Sequence, residues 1–154
     1  MKIKPALTLG LLTLAFATPT ALAEDKHDHK TAEHEAHANH MLKGYATLAT
    51  ALYKDDFAAA KKAAAGMVKH DKKSAMAKHA QAIADSKSIE DARKHFKELS
   101  DAAIPIAKKE KTMHVAHCPM AMKGKGADWL QASDKEIQNP YFGAKMAHCG
   151  KFVK

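Results

Sequence analysis

A chain of 154 residues with 46% hydrophobic and 27% charged residues, two cysteines and a formal net charge of +8 suits one domain with a modest core, not two. Two cysteines exclude a dense disulfide framework. The lysines are spread through helical segments and not interleaved with aromatics, so the basic balance reads as a solvated surface and not as a nucleic-acid interface. Such a surface still suits an acidic partner or an anionic membrane surface.

In chain order, Lys2 and Lys4 precede the apolar run ALTLGLLTLAFA, and Ala21-Leu22-Ala23 offers a small-residue cleavage site. That is the layout of a secretory signal over residues 1–23. The run falls short of the roughly 20 residues that cross a bilayer. Cleavage after Ala23 is expected, giving a bacterial-type periplasmic chain, 24–154, with no membrane span. Residues 24–40, EDKHDHKTAEHEAHANH, carry five histidines and almost no large apolar side chain. Their composition predicts a flexible His-rich tail that turns helical only towards its end. His34, His37 and His40 recur every three residues, so a helix would align them as weak, unselective ligands for Cu²⁺, Zn²⁺ or Ni²⁺. A merely hydrophilic tail explains them equally well.

Residues 41–154 form the single predicted domain. Met41, Tyr45, Leu48 and Leu52 share one helix face. Asp55 or Asp56 is positioned to cap a second helix bearing Phe57, Ala60, Ala64, Met67 and Val68. A third, alanine-rich helix is expected over 74–85, with Met76, Ala80 and Ile83 facing inward. Ser88 should cap a fourth, carrying Ile89, Ala92, Phe96, Leu99 and Ala103, which Pro105 should kink or end. The fold class is therefore mainly α, an antiparallel bundle of about four helices with a thin alanine-rich core. Met41, Met67 and Met76 fall on its apolar faces. His70, His79 and His95 fall among lysines, as solvent-exposed residues would.

Beyond the bundle, TMHVAHC can form a short strand, KGKGADW a loop, NPYFG an Asn-capped turn, and the final FVK a strand pairing with MHVAH. Residues 113–150 gather the sulfur and imidazole groups Met113, His114, His117, Cys118, Met120, Met122, Met146, His148 and Cys149. Thiolate and thioether donors favour Cu(I), and by the same softness Ag(I). A zinc site would draw on His117, Cys118, His148 and Cys149, but these are adjacent-residue pairs and not the usual spaced ligands. If 140–149 is helical, Met146 and Cys149 share a face. Pro119 fixes a turn that can aim Cys118 and Met120 at one spot. The candidate ligands are thus Cys118, Cys149, Met146, Met120, His117 and His148. An exported pair of cysteines also suits a disulfide, whose loop closure would stabilise by about 3–4 kcal/mol. Catalysis is not expected: no C-x-x-C motif or phosphate loop is present, and no third group orients a Cys-His pair.

The series ATALYKDDFAAAKKAA, HFKELSDAAIPIAKK, HCPMA, ADWLQ, EIQNPYFGAKM and CG resembles a bacterial family of exported domains. They occur alone or appended to the periplasmic adaptor subunits of Cus-type copper/silver efflux pumps. The resemblance spans roughly residues 40–152. It implies a helical periplasmic domain that handles copper or silver, with Cys118, Met120, Met146 and Cys149 at the motif positions and His117 beside them. Trp129, Asn139, Pro140, Tyr141 and Gly143 would be framework. The chain has no adaptor hairpin or barrel, so the resemblance implies a stand-alone protein that buffers or delivers copper, with an efflux adaptor or another copper protein as partner. A redox role is the nearest variant, and a disulfide-stapled interaction module without metal is the alternative.

Overall fold

The computed structural model describes residues 26–153, with side chains from residue 33 onward; the expected signal segment lies outside them. Four long helices come first: α1 (Lys26–Tyr53), α2 (Phe57–His70), α3 (Ala75–Asp85) and α4 (Ile89–Glu110). A three-stranded antiparallel sheet of β1 (His114–Cys118), β2 (Ala127–Gln131) and β3 (Lys151–Val153) follows, in the order β2-β1-β3. Among the described residues no helix is long and apolar enough to cross a membrane.

The helix starts follow their caps. Asp56, Ser74 and Ser88 accept hydrogen bonds from the amides of Ala59, Ala77 and Asp91, respectively, satisfying donors that a helix leaves free at its first turn. The connections Lys54–Asp56, Asp71–Ser74 and Ser86–Ser88 are short, so consecutive helices turn back on one another, and α4 closes against α1. Tyr45, Leu48, Leu52, Met76, Ile83, Phe96 and Leu99 fill the centre, with Ala60, Ala64, Ala80, Ala92, Ala103 and Ala107 between them. Met41 and Met67 are buried as well. Small side chains let the helices approach closely, and the few large ones supply most of the buried apolar area.

Two elements differ from the sequence reading. Lys26–His40 belong to α1, which extends helix well into the His-rich segment. α4 runs through Pro105 to Glu110 and is not ended there. Proline removes the bond to the carbonyl four residues earlier, that of Asp101. Asp101 and Pro105 are both exposed, so water can take that carbonyl.

The sheet lies against α4 and α1 through β2. ADWLQ, assigned to a loop by its preceding glycines, is this strand, in register with β1 from His114↔Gln131 to Cys118↔Ala127. The expected pairing of the chain end with MHVAH is present as Val115↔Val153, Ala116↔Phe152 and His117↔Lys151. Trp129 and Leu130 enter the core from β2. Tyr45, Phe96, Tyr141 and Trp129 form a continuous aromatic column with successive ring centroids 5.1, 5.6 and 6.0 Å apart, which carries the bundle core into the cap.

Candidate metal centre

β1 ends at Cys118, whose side chain is fully buried. Pro119 then turns the chain, and Ala121–Gly124 form a tight turn in which Met122 and Lys123 adopt left-handed backbone angles. The other half of the site comes from residues 139–150. That segment is a turn followed by a 3₁₀ turn at Gly143–Met146, not the α-helix considered over 140–149.

Its shape is set by hydrogen bonds to a few buried polar groups. Asn139, fully buried, accepts from the Tyr141 amide at 2.8 Å and donates through Nδ2 to the Cys149 carbonyl at 2.7 Å. Arg93 on α4 donates through Nε to the Pro140 carbonyl at 2.9 Å and through Nη2 to the Leu52 carbonyl at 2.9 Å, and it pairs with Asp55. Asp55 in turn accepts from the Ala144 amide at 2.9 Å. A Cβ at Gly143, whose φ is +57°, would collide with the Asp55 carboxylate and with Arg93. That amide bond and then the Arg93 guanidinium hold the Asp55 carboxyl below its ordinary range.

At Gly150 the chain passes directly over β1. Its φ of +141° is one that side chains rarely adopt, and a Cβ there would lie 2.8 Å from both the His117 carbonyl and the Trp129 ring. Glycine is the residue that permits this approach. Trp129 is fully buried beneath it, and its indole N–H has no acceptor among the described residues.

This framework brings the two sulfurs together. Cys118 Sγ and Cys149 Sγ are 3.1 Å apart, and both are free thiols; a disulfide would place them at about 2.05 Å. The hydrogen bond that the Cys149 thiol donates to Cys118, then burial, then repulsion from the Cys118 thiolate raise the Cys149 thiol above its usual value. The Cys149 thiol therefore resists ionising beside Cys118 unless a cation shares the space.

His117 precedes Cys118 on the strand, so the pleat turns the two side chains to opposite faces. It nevertheless shares a surface depression with Pro119, Cys149, Gly150 and Lys151. Its Nδ1 is 2.6 Å from Asp128 Oδ1, across the β1–β2 pair. This carboxylate fixes the ring and leaves Nε2 open, the arrangement that orients metal-binding histidines elsewhere. Sequence reasoning missed Asp128, because recognising it requires ADWLQ to be a strand in this register.

The other candidates sit less centrally. Met120 is 54% exposed just past the turn. Met146 is half-buried, and its carbonyl accepts from the Cys149 amide at 3.1 Å. His148 is exposed, with Nδ1 2.8 Å from the Ile137 carbonyl and its ring tilted towards Tyr53. Among the described residues, no three His, Cys, Asp or Glu side chains are gathered in metal-holding geometry. The donor set therefore fits a soft ion held chiefly by two sulfurs, with thioether or imidazole added by side-chain movement. It does not fit a preformed tetrahedral zinc site. Two sulfurs on a tetrahedral ion at about 2.3 Å stand roughly 3.8 Å apart, so binding would part this pair slightly.

Residues 41–114 match the sequence profile of a family described as Protein of unknown function (DUF3347). The match covers the bundle from the middle of α1 and stops at the first residue of β1, before either cysteine. No curated protein and no solved structure matches the chain.

Proposed function

We propose that this protein binds a soft copper ion, Cu(I), and by the same chemistry Ag(I), between Cys118 and Cys149. The observation that carries the reading is the 3.1 Å approach of two free sulfurs from distant parts of the chain. Thiolates prefer soft ions, and a cation can take the place of the proton that the Cys149 thiol shares with Cys118. His117, aligned by Asp128, supplies an imidazole at the rim. Met146 or Met120 supplies a thioether, and His148 lies further out. The signal-like start and the resemblance to domains of Cus-type efflux adaptors support a periplasmic role in buffering copper or handing it to an efflux component.

The same sulfur approach favours one second reading, a disulfide that staples the cap in an oxidising compartment. Competition titration of the reduced chain with Cu(I) against a chelator separates the two. Copper binding predicts one tight equivalent, weakened more than about a hundredfold in Cys118→Ser or Cys149→Ser. Asp128→Asn should weaken it about tenfold, the scale at which outer-shell partners act. Equal binding by the wild type and both serine variants overturns the proposal. Mass spectrometry of alkylated protein taken directly from its native compartment then shows whether the cysteines are joined.

A further inference from the structure

Far from the sulfur pair, a second cluster forms where α1 passes the end of α2. His37 and His40 lie three residues apart on α1, and His70 is the last residue of α2. The His40 and His70 rings stack with centroids 3.7 Å apart, and His37 stacks on the same His70 at 4.8 Å. Asp71, which ends α2, lies with Oδ2 3.1 Å from His37 Nε2. Its other oxygen accepts from the amides of Lys73 and Ser74. All three histidines are exposed, beside a groove whose walls include His34, His37, Met41 and Asp71.

Two imidazoles of α1 stacked on the third, at the end of α2, bring ring nitrogens from two helices onto one patch of exposed surface. Neutral rings are the form that binds metal. On one ion at about 2.0–2.1 Å the rings would aim their nitrogens at a common centre in place of stacking.

The geometry points to an interhelical site for a borderline divalent cation, Cu²⁺ or Zn²⁺, with His37, His40 and His70 as ligands and Asp71 positioning His37. The rings stack face to face and do not yet converge on one point, so binding turns these exposed side chains without moving the helices. With Nε2 of His37 engaged by Asp71, its Nδ1 is the free donor, the carboxylate–histidine–metal relation again. Imidazole and carboxylate select borderline ions, whereas paired sulfurs select soft ones. The two sites thus differ in cargo, and this inference does not rest on the copper(I) reading. It also differs from capture by a histidine-rich tail, which would use His34, His37 and His40 and ignore His70.

The test is Cu²⁺ titration of the full chain carrying Cys118→Ser and Cys149→Ser, so that no thiol binds or reduces the ion. Electron paramagnetic resonance counts the coordinated nitrogens, and circular dichroism confirms folding. One equivalent with three imidazole nitrogens is expected. Adding His70→Ala should weaken it at least tenfold and remove one nitrogen, while His34→Ala leaves both unchanged. Asp71→Asn should weaken binding and keep the nitrogen count. Undiminished binding in His70→Ala, or loss in His34→Ala with none in His70→Ala, overturns the site.

Discussion

From Met41 to Ala107 the molecule is held by apolar side chains on one face of each helix, whereas from Cys118 to Gly150 it is held by buried polar groups that reach across to the bundle. The Tyr45 hydroxyl on α1 accepts from the Leu130 amide of β2 at 3.1 Å and contacts Ser100 on α4 at 2.7 Å. The Tyr141 hydroxyl donates to the Asp128 carbonyl at 2.6 Å. Gln131 folds the loop that follows it by donating to the Ser133 and Glu136 carbonyls and accepting from the Gln138 amide. Burial raises both tyrosine phenols, so they act only as neutral hydrogen-bonding groups at physiological pH. The contrast teaches that the bundle is a platform and the cap a shaped insert. Apolar packing tolerates volume-conserving change, but a buried hydrogen-bonding group that loses its partner bears the full desolvation cost.

The largest effects should come from the aromatic column that joins the two regions. Phe96→Ala and Trp129→Ala each remove a fully buried ring and should cost about 3–5 kcal/mol. Because the column is continuous, denaturation followed by helical circular dichroism and by cysteine accessibility should show one shared transition in both variants. Early exposure of the cysteines in Trp129→Ala, with the helical transition unmoved, would instead make the cap a separable unit.

A smaller effect is expected at Arg93, the main polar tie between regions. Arg93→Met leaves the Leu52 and Pro140 carbonyls without this donor, which should cost about 2–3 kcal/mol by urea denaturation. It should also loosen the segment carrying Cys149 and weaken Cu(I) binding. Retained copper affinity would show that Asn139 and Asp55 suffice to position that segment.

The smallest effect concerns pH. The Asp55 carboxyl is held below its unfolded value by the Ala144 amide and Arg93. Its contribution is therefore present above roughly pH 4 and is lost as pH falls through the lower folded value. Asp55→Asn keeps a residue suited to the left-handed angle there, a φ of +56°. This variant should lower stability at neutral pH, leave it nearly unchanged in strong acid, and so flatten the acid limb of the stability curve below about pH 4.

The helices were largely legible because each interaction that defines them is local. Asp56 and Ser88 cap where expected, and Met41, Met67, Met76, Ile83 and Phe96 are buried as their spacing requires. β1 and β3 were also visible as short apolar runs. β2 was not, because Gly124 and Gly126 mark a turn equally well before a loop or a strand. Arg93 and Asp128 were invisible for a related reason: one is a charged residue in a lysine-rich helix, and the other gains meaning only opposite His117. His70 looked like one more solvated residue until α1 passed beside it.

The sequence by itself determined the helical platform, the gathering of sulfur and imidazole near the chain end, and the softness of the ion such donors prefer. Periodicity, capping and donor chemistry are properties of neighbouring residues. Only the tertiary structure decided that Cys118 meets Cys149, that Asp128 aligns His117, and that His70 joins His37 and His40. Each of those contacts spans distant parts of the chain. It depends on closing a loop whose entropy cost the core and the buried hydrogen bonds must offset, and no local pattern records the outcome.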